Sequence, residues 1–366
     1  MRHGFYVEVQ PVIQKFVMTG VYIFYFCGGR GIGKTYGALD FCRQIGTGEF
    51  SFSDFLNSNG TQLSSTVEHE RFLYLRRTGV EAQSVAAPES CPFKAYNANE
   101  GYEICADFNS KLGFGKFFLE DSRETLIGYC AALSTFANLR GVDFSDVTFI
   151  LYDECIPESK NKHPLKDEGF LFLNMLETIN RNRSLEGKPE VVVCLLSNPI
   201  DLGSPLLSQL NITPIINSMI FKGQDKFTSR ERSLHIEKYV DHVVSQEKAN
   251  SALYKFANGT GFNERSLSGN FMDNDLSVIK KPNLNEYTAY LSLENLCVYK
   301  HKSNGMYHIS QIMQPPQYVF RAYEKEKFRT VFYWLYKMLV IERKVTYDNY
   351  NTKVVFEMMI NYKPMT

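Results

Sequence analysis

The 366-residue sequence predicts an α/β protein in which a mostly parallel sheet is followed by a smaller α+β domain. Three observations predict this. Four apolar runs rich in β-branched and aromatic residues read as buried strands: VYIFYFC at 21–27, FLYL at 72–75, VTFILY at 147–152 and VVVCLL at 191–196. Helix-spaced sequence lies between them, and strands that alternate with helices call for a parallel sheet covered on both faces. Near residue 200 the pattern changes: Ser197–Asn198–Pro199 and Gly203–Ser204–Pro205 break it, and hairpin-like sequence follows later.

In chain order, the strand at 21–27 runs into GGRGIGKT and then YGALDFCRQI, which has helical spacing. Arg71–Arg77 reads as the second strand. Residues 80–135 are mixed, with hairpin material at Lys116–Glu120 and Thr125–Leu133. Between Glu168 and Asn182, Phe170, Leu173, Leu176, Glu177 and Asn180 fall at three- and four-residue steps, which predicts a helix. Residues 205–245 read poorly and partly helical. Tyr287–Ser310 reads as a hairpin turning at Ser303–Asn304–Gly305, and 322–343 reads as helix. The expected domains are 1–200, a linker or lid at 201–248, and 249–366.

Composition narrows the function classes. Hydrophobic residues at 44% and charged residues at 22% can build sizeable cores, which excludes a disordered chain or a disulfide miniprotein. The 40 basic and 40 acidic residues balance, which excludes binding nucleic acid through total charge. The halves differ: residues 1–199 carry 19 basic and 24 acidic side chains, and 200–366 carry 21 and 16. Any contact with nucleic acid must use local patches. The eight cysteines contain no CxxC pair and read as buried reduced thiols; no histidine has zinc-site spacing with them. The N-terminus lacks signal-peptide features, and the apolar stretch 16–27 is too short to span a bilayer. The expectation is a soluble, intracellular protein with no membrane partner.

Gly28–Thr35 satisfies G-x-x-x-x-G-K-[ST]. Gly28, Gly29, Arg30, Gly31, Ile32 and Gly33 would turn backbone N–H groups around phosphate oxygens, and the next helix points its N-terminus at the same anion. Lys34 would reach the β- and γ-phosphates, and Thr35 would bind Mg2+. VTFILYDE is a buried strand ending in two acids. Asp153 would hold Mg2+, and Glu154 would orient or deprotonate the attacking water. The guanine-reading [NT]KxD pattern is missing from Asn161–Lys162–His163–Pro164, so the nucleotide read here is ATP. Asn198, after VVVCLLS, could hydrogen-bond the γ-phosphate or the water. Arg181 and Arg183, in NRNRS, could act across an interface or cap a helix end. Arg76, Arg77 and Arg140 could contact DNA or a neighbouring active site, or be plain surface charges.

Taken together, these residues resemble the small DNA-packaging ATPases of protein-primed, short-tailed bacteriophages. GGRGIGKT is similar to that family's phosphate loop, FLYLRR to its strand with paired arginines, ILYDE to its acidic strand end, TINRNR to its arginine-bearing helix and CLLSN to its sensor strand. Residues 256–282 resemble its entry to a C-terminal domain. The resemblance implies an additional-strand, catalytic-glutamate (ASCE) P-loop ATPase domain and an RNase H-like domain that has lost nuclease activity. It also implies a homo-oligomeric ring of five at the portal vertex of a prohead in the host cytoplasm, driving double-stranded DNA inside. By position it makes Lys34 and Thr35 nucleotide and magnesium ligands, Asp153 and Glu154 the magnesium and catalytic acids, and Arg181 the arginine finger with Arg183 in reserve. Asn198 becomes the sensor, and Arg140 a basic residue near DNA or a subunit interface. Thr78 and Gly79 depart from the family's bulkier residues and lysine, and there is extra sequence around 50–70 and near the C-terminus. Whether a structural RNA joins the assembly is left open. Two other readings stay open on the residues alone: another nucleic-acid ATPase, such as a helicase or nuclease-active terminase, and a non-motor nucleotide switch. A two-metal nuclease needs clustered carboxylates, and YTAYLSLENLCVYK offers only Glu294.

Overall fold

A computed structural model describes residues 6–120, 123–157, 165, 167–200, 202, 204–240, 242–258, 266–267, 271, 278–280, 282–321, 324, 327, 344–349, 352–353 and 355–356. The chain forms two compact units, one of residues 1–201 and 222–272, the other of 202–221 and 273–366.

In the first unit, helix α1 (Val9–Val17) precedes β1 (Ile23–Gly28), which feeds α2 (Lys34–Thr47). After α3 (Phe52–Ser58) come β2 (Arg71–Arg76), α4 (Gly79–Ser84), α5 (Lys94–Glu100), β3 (Cys105–Asn109), β4 (Phe114–Phe118) and β5 (Leu126–Ala132). A 3-10 turn at Leu133–Leu139 leads to β6 (Val147–Tyr152), α6 (Glu168–Ile179) and β7 (Val192–Ser197). The nine-stranded sheet runs β3-β4-β5-β2-β6-β7-β1 and is completed by β9 (Leu234–Tyr239) and β8 (Lys226–Ser229). From β5 to β9 every pairing is parallel, and only the outer strands are antiparallel. β7 separates the strand that enters the glycine loop from the acidic strand β6, which is the additional-strand order the resemblance implies. Phe24, Phe26, Phe41, Phe52, Phe72 and Phe149 are fully buried and pack α1, α2 and α3 onto one face. Burying a side chain of this size contributes about 1.5–3 kcal/mol. All eight cysteines are free thiols.

Three expectations change here. The segment read as linker supplies β8 and β9, which join the sheet beside β1. Its strand pattern is hidden because the buried positions of LHIEKY include His235 and Glu237. These are satisfied internally by Thr228, Lys226 and Tyr239. The helix at 168–179 is present, but it buries Phe172, Met175 and Ile179, whereas Phe170 and Leu173 are exposed. The hairpin at 287–310 has a second turn.

That hairpin belongs to the second unit, which opens with α7 (Pro205–Gln209) and α8 (Thr213–Phe221). Its sheet joins β10 (Tyr287–Leu293), β11 (Leu296–His301), β12 (Tyr307–Ser310), β13 (Tyr318–Phe320) and β14 (Val345–Tyr347) in the order β13-β10-β11-β12-β14. β10, β11 and β12 form an antiparallel meander, and β13 and β14 pair in parallel at its edges. The turn at 302–306 contains the predicted Ser303–Asn304–Gly305, and the extra turn places Glu294 at φ 53° in solvent. The helix read at 322–343 lies outside the described residues, apart from isolated positions. Between β9 and this sheet, the first unit adds α9 (Val243–Ala249) and α10 (Ala252–Phe256). Among the described residues, no helix is long and apolar enough to cross a membrane.

Candidate nucleotide site

The C-terminal ends of β1, β7 and β6 meet at a cleft of about 480 Å3. Gly31 and Gly33 take φ values of 68° and 92°, a region where side-chain-bearing residues are strained. A Cβ on Gly33 would also approach Tyr6 to 2.6 Å. Ile32, between them, is fully buried and anchors the loop. The loop therefore presents backbone to the cleft, at the N-terminus of the 14-residue α2, where the helix dipole favours an anion.

Lys34 begins α2. Its Nζ donates to the carbonyls of Gly28 (2.7 Å) and Gly29 (2.8 Å), and more weakly to Asn198 Oδ1 (3.4 Å). Burial pushes its pKa down to about 8, against the pull of Asp153, and the charge of Lys248 adds to the fall. Thr35 Oγ1 donates to Asp153 Oδ1 at 3.1 Å, bridging α2 and the end of β6. Asp153 is buried, which raises its pKa; Glu154 adds to that rise and Arg76 opposes it. A site that disfavours both its ammonium and its carboxylate gains when a ligand of mixed charge, such as a metal–phosphate pair, completes it. The hydroxyl and carboxylate oxygens of Thr35 and Asp153 are hard donors that suit Mg2+, which commonly takes one or two protein oxygens and completes its shell with phosphates and water. Among the described residues, no cluster of three or more His, Cys, Asp or Glu forms a separate metal site.

Glu154 adopts φ 50°, so the chain turns sharply after Asp153 and exposes the Glu154 carboxylate at the cleft. Arg76, at the end of the adjacent β2, donates to it at 2.6 Å and lies 3.8 Å from Asp153. Tyr74, two residues earlier on the same face of β2, donates to Asp153 Oδ2 at 3.1 Å. Sequence reading missed Tyr74, although the spacing Tyr74–Arg76 signals a shared strand face. Asn198 and Arg30 line the cleft. Beside the loop, Lys248 Nζ donates to the Arg30 carbonyl at 2.9 Å, a contact that depends on the unforeseen strand β9.

Two of the predicted arginines are internal. Arg77 is 2% exposed and paired with Glu168 at 2.8 Å, and Glu168 also accepts from Tyr152. Arg183 is likewise 2% exposed; its guanidinium donates to the carbonyls of Ser145 (2.8 Å) and Val147 (2.7 Å), with longer contacts to those of Ile179, Phe144 and Pro189. Neither can meet DNA or a neighbour, because each guanidinium is desolvated and used inside the fold. Arg181 and Arg140 are exposed.

A profile of the family described as podovirus DNA encapsidation protein (Gp16) matches residues 10–347. The chain belongs to that family. Packaging of viral DNA is therefore the process this encapsidation protein serves. It is 23% identical to the DNA packaging protein of Bacillus phage phi29 over 271 residues, covering 73% of this chain and 68% of that protein. It is 24% identical to the DNA packaging protein of Bacillus phage B103 over 258 residues, covering 69% and 66%. Its fold is similar to a chain of the bacteriophage Phi-29 viral genome packaging motor assembly, with TM-score 0.61, 18% identity and coverage of 97% and 100%. It is also similar to the Phi-28 gp11 DNA packaging motor, with TM-score 0.59, 15% identity and coverage of 97% and 98%.

Proposed function

We propose that this encapsidation protein is an ATP-driven motor that moves double-stranded DNA into a preformed prohead. The observation that carries the reading is the Thr35–Asp153 contact of 3.1 Å beside the buried Lys34 and the exposed Glu154. One compact set of groups thereby offers an anion cradle, hard oxygen donors and a base.

In this mechanism the loop N–H groups and Lys34 would hold the phosphates of ATP, and Thr35 and Asp153 would hold Mg2+, which would supply charge neutralisation at the phosphate oxygens. Glu154 orients the attacking water and accepts its proton once Arg76 releases the carboxylate. Asn198, close to Lys34, fixes the water or the terminal phosphate.

Arg181 serves the site of a neighbouring subunit. Two features support this. The Arg183 guanidinium is anchored to carbonyls at the start of β6, while Asp153 follows the end of this six-residue strand, about 20 Å away at the usual strand rise. Arg181 is exposed just past the end of α6, a helix that also leaves Phe170 and Leu173 exposed, apolar side chains suited to burial against a partner. A homo-oligomeric ring, of five by family resemblance, at the portal vertex in the host cytoplasm accounts for both. Arg140 stays at the surface as a DNA or subunit contact. The second unit serves as a docking domain without nuclease activity: Glu294, the lone acid of the region 287–300, projects from a turn into solvent.

The test is ATP hydrolysis with and without matching proheads and double-stranded DNA. Turnover should rise in their joint presence and fall steeply with salt, because phosphate contacts dominate sequence-independent DNA binding. Glu154→Gln should bind ATP without turnover. Mixing Glu154→Gln with Arg181→Ala subunits should recover activity at shared sites. Brisk turnover by Glu154→Gln would remove Glu154 from the mechanism, and DNA-independent turnover by the assembled protein would remove the motor reading.

A further inference from the structure

The phosphate loop is approached by two lysines. β9 pairs in parallel with β1, with Tyr239 opposite Gly28, so the chain leaving β9 emerges at the same sheet end as the loop. Four residues later α9 begins, and the buried Val244 and Ser245 fix it in place. Lys248 lies three and four residues further, on the same helical face. Its Nζ donates to the Arg30 carbonyl at 2.9 Å, and a Cβ on Gly31 would lie 1.9 Å from that nitrogen. The ammonium thus occupies the space that any side chain at position 31 would take. Lys34 holds the carbonyls of Gly28 and Gly29. Three successive loop carbonyls are therefore held by two cations, one from each end of the unit's sequence.

We propose that Lys248 is a second phosphate-binding cation, supplied by α9 of the same chain to the terminal phosphate of the nucleotide. This rests on the reading of the loop as an ATP site. Among the described residues, the hydrogen-bond partner of Lys248 is a neutral carbonyl, and an ammonium has three donors to give. Two like charges on one short arm of backbone repel each other, and an anion between them reverses the sign of that cost. In loops of this type the lysine at the helix start reaches the β- and γ-phosphates. Lys248 binds the next carbonyl along the same arm, so it faces that end of the triphosphate. A cation there favours the triphosphate over the diphosphate.

The test uses the full chain and compares equilibrium binding of a non-hydrolysable ATP analogue, ADP and AMP with magnesium. Lys248→Met keeps the aliphatic stem and should weaken the ATP analogue about tenfold, the effect of one charge-assisted hydrogen bond, while ADP changes by at most about threefold. Lys248→Arg should restore binding of the analogue. Wild-type affinity in Lys248→Met overturns the proposal. So does an equal loss for ATP analogue and ADP, which would make Lys248 only a prop for the loop. Lys34→Ala separates the two levels. It should lose the ATP analogue and ADP, and if it binds both as wild type, the loop reading fails and this proposal with it. A second measurement needs no variant. In acetylation followed by mass spectrometry, Lys248 of the wild type should be protected by the ATP analogue and not by AMP; equal labelling with both overturns the proposal.

Discussion

Arg76–Arg77 and Arg181–Asn182–Arg183 divide their arginines in the same way. In each, one guanidinium is buried and used by the fold, and the other is left where chemistry can use it, Arg76 at the cleft acids and Arg181 at the surface. The means differ. In the first pair, strand alternation sends Arg76 to the cleft acids and Arg77 to Glu168. In the second, the chain turns through Asn182 at φ 61°, so that Arg183 enters the core and Arg181 does not. The partners differ too: Arg77 is neutralised by a carboxylate, whereas Arg183 meets only neutral carbonyls. The lesson is that an arginine is structural when the fold offers it enough acceptors, and the other arginine of the pair is the one to test for function.

The largest effect should come from Arg181→Ala. It should lower ATP turnover of the assembled motor by about a thousandfold or more, as loss of a finger does, with a stability change within about 0.5 kcal/mol. Turnover assays and a denaturant melt check this, and full activity would end the contrast between Arg181 and Arg183. Arg77→Met comes next. It leaves Glu168 buried and unpaired, at a cost of about 3–5 kcal/mol in urea unfolding. Adding Glu168→Gln should recover part of that loss. Arg183→Met should cost less, about 1–3 kcal/mol, because it strands neutral carbonyls rather than a charge. If Arg183→Met proves the more damaging, the charge argument is wrong and the count of acceptors decides.

The smallest effect concerns pH. On the proposed reading Asp153 must be ionised to hold magnesium, and its pKa is raised by burial. Magnesium-dependent nucleotide binding should therefore weaken as pH falls through that raised value. Arg76 opposes the rise, so Arg76→Ala should move the loss to higher pH. Titration of nucleotide affinity against pH checks this; an unmoved midpoint would mean that Arg76 acts on Glu154 alone.

Much of the first unit was legible because its signals are local. VTFILY and VVVCLL are continuous apolar runs, and their strands fall within a residue of the expected bounds. GGRGIGKT announces itself because only glycine turns so tightly before a lysine. The helix at 168–179 was legible in kind but not in orientation: Phe170 and Leu173 are apolar and sit on the surface. Hydrophobicity could not distinguish a face packed on its own chain from one left open. β9 was illegible because His235 and Glu237 occupy core positions, and only their partners across the sheet make that tolerable. Lys248 was invisible for the same reason, since α9 reaches the loop only if β9 pairs with β1.

The sequence alone determined the phosphate loop, the acidic strand end and the helices and strands that carry them, because these depend on residues close together in the chain. The tertiary structure decided which arginine of each pair is spent inside the fold, that β7 lies between β1 and β6, and that a lysine more than two hundred residues away stands over Gly31. Those outcomes turn on which acceptors and which strands meet across long separations, and the energy of burying a charge is fixed only when its partners are in place.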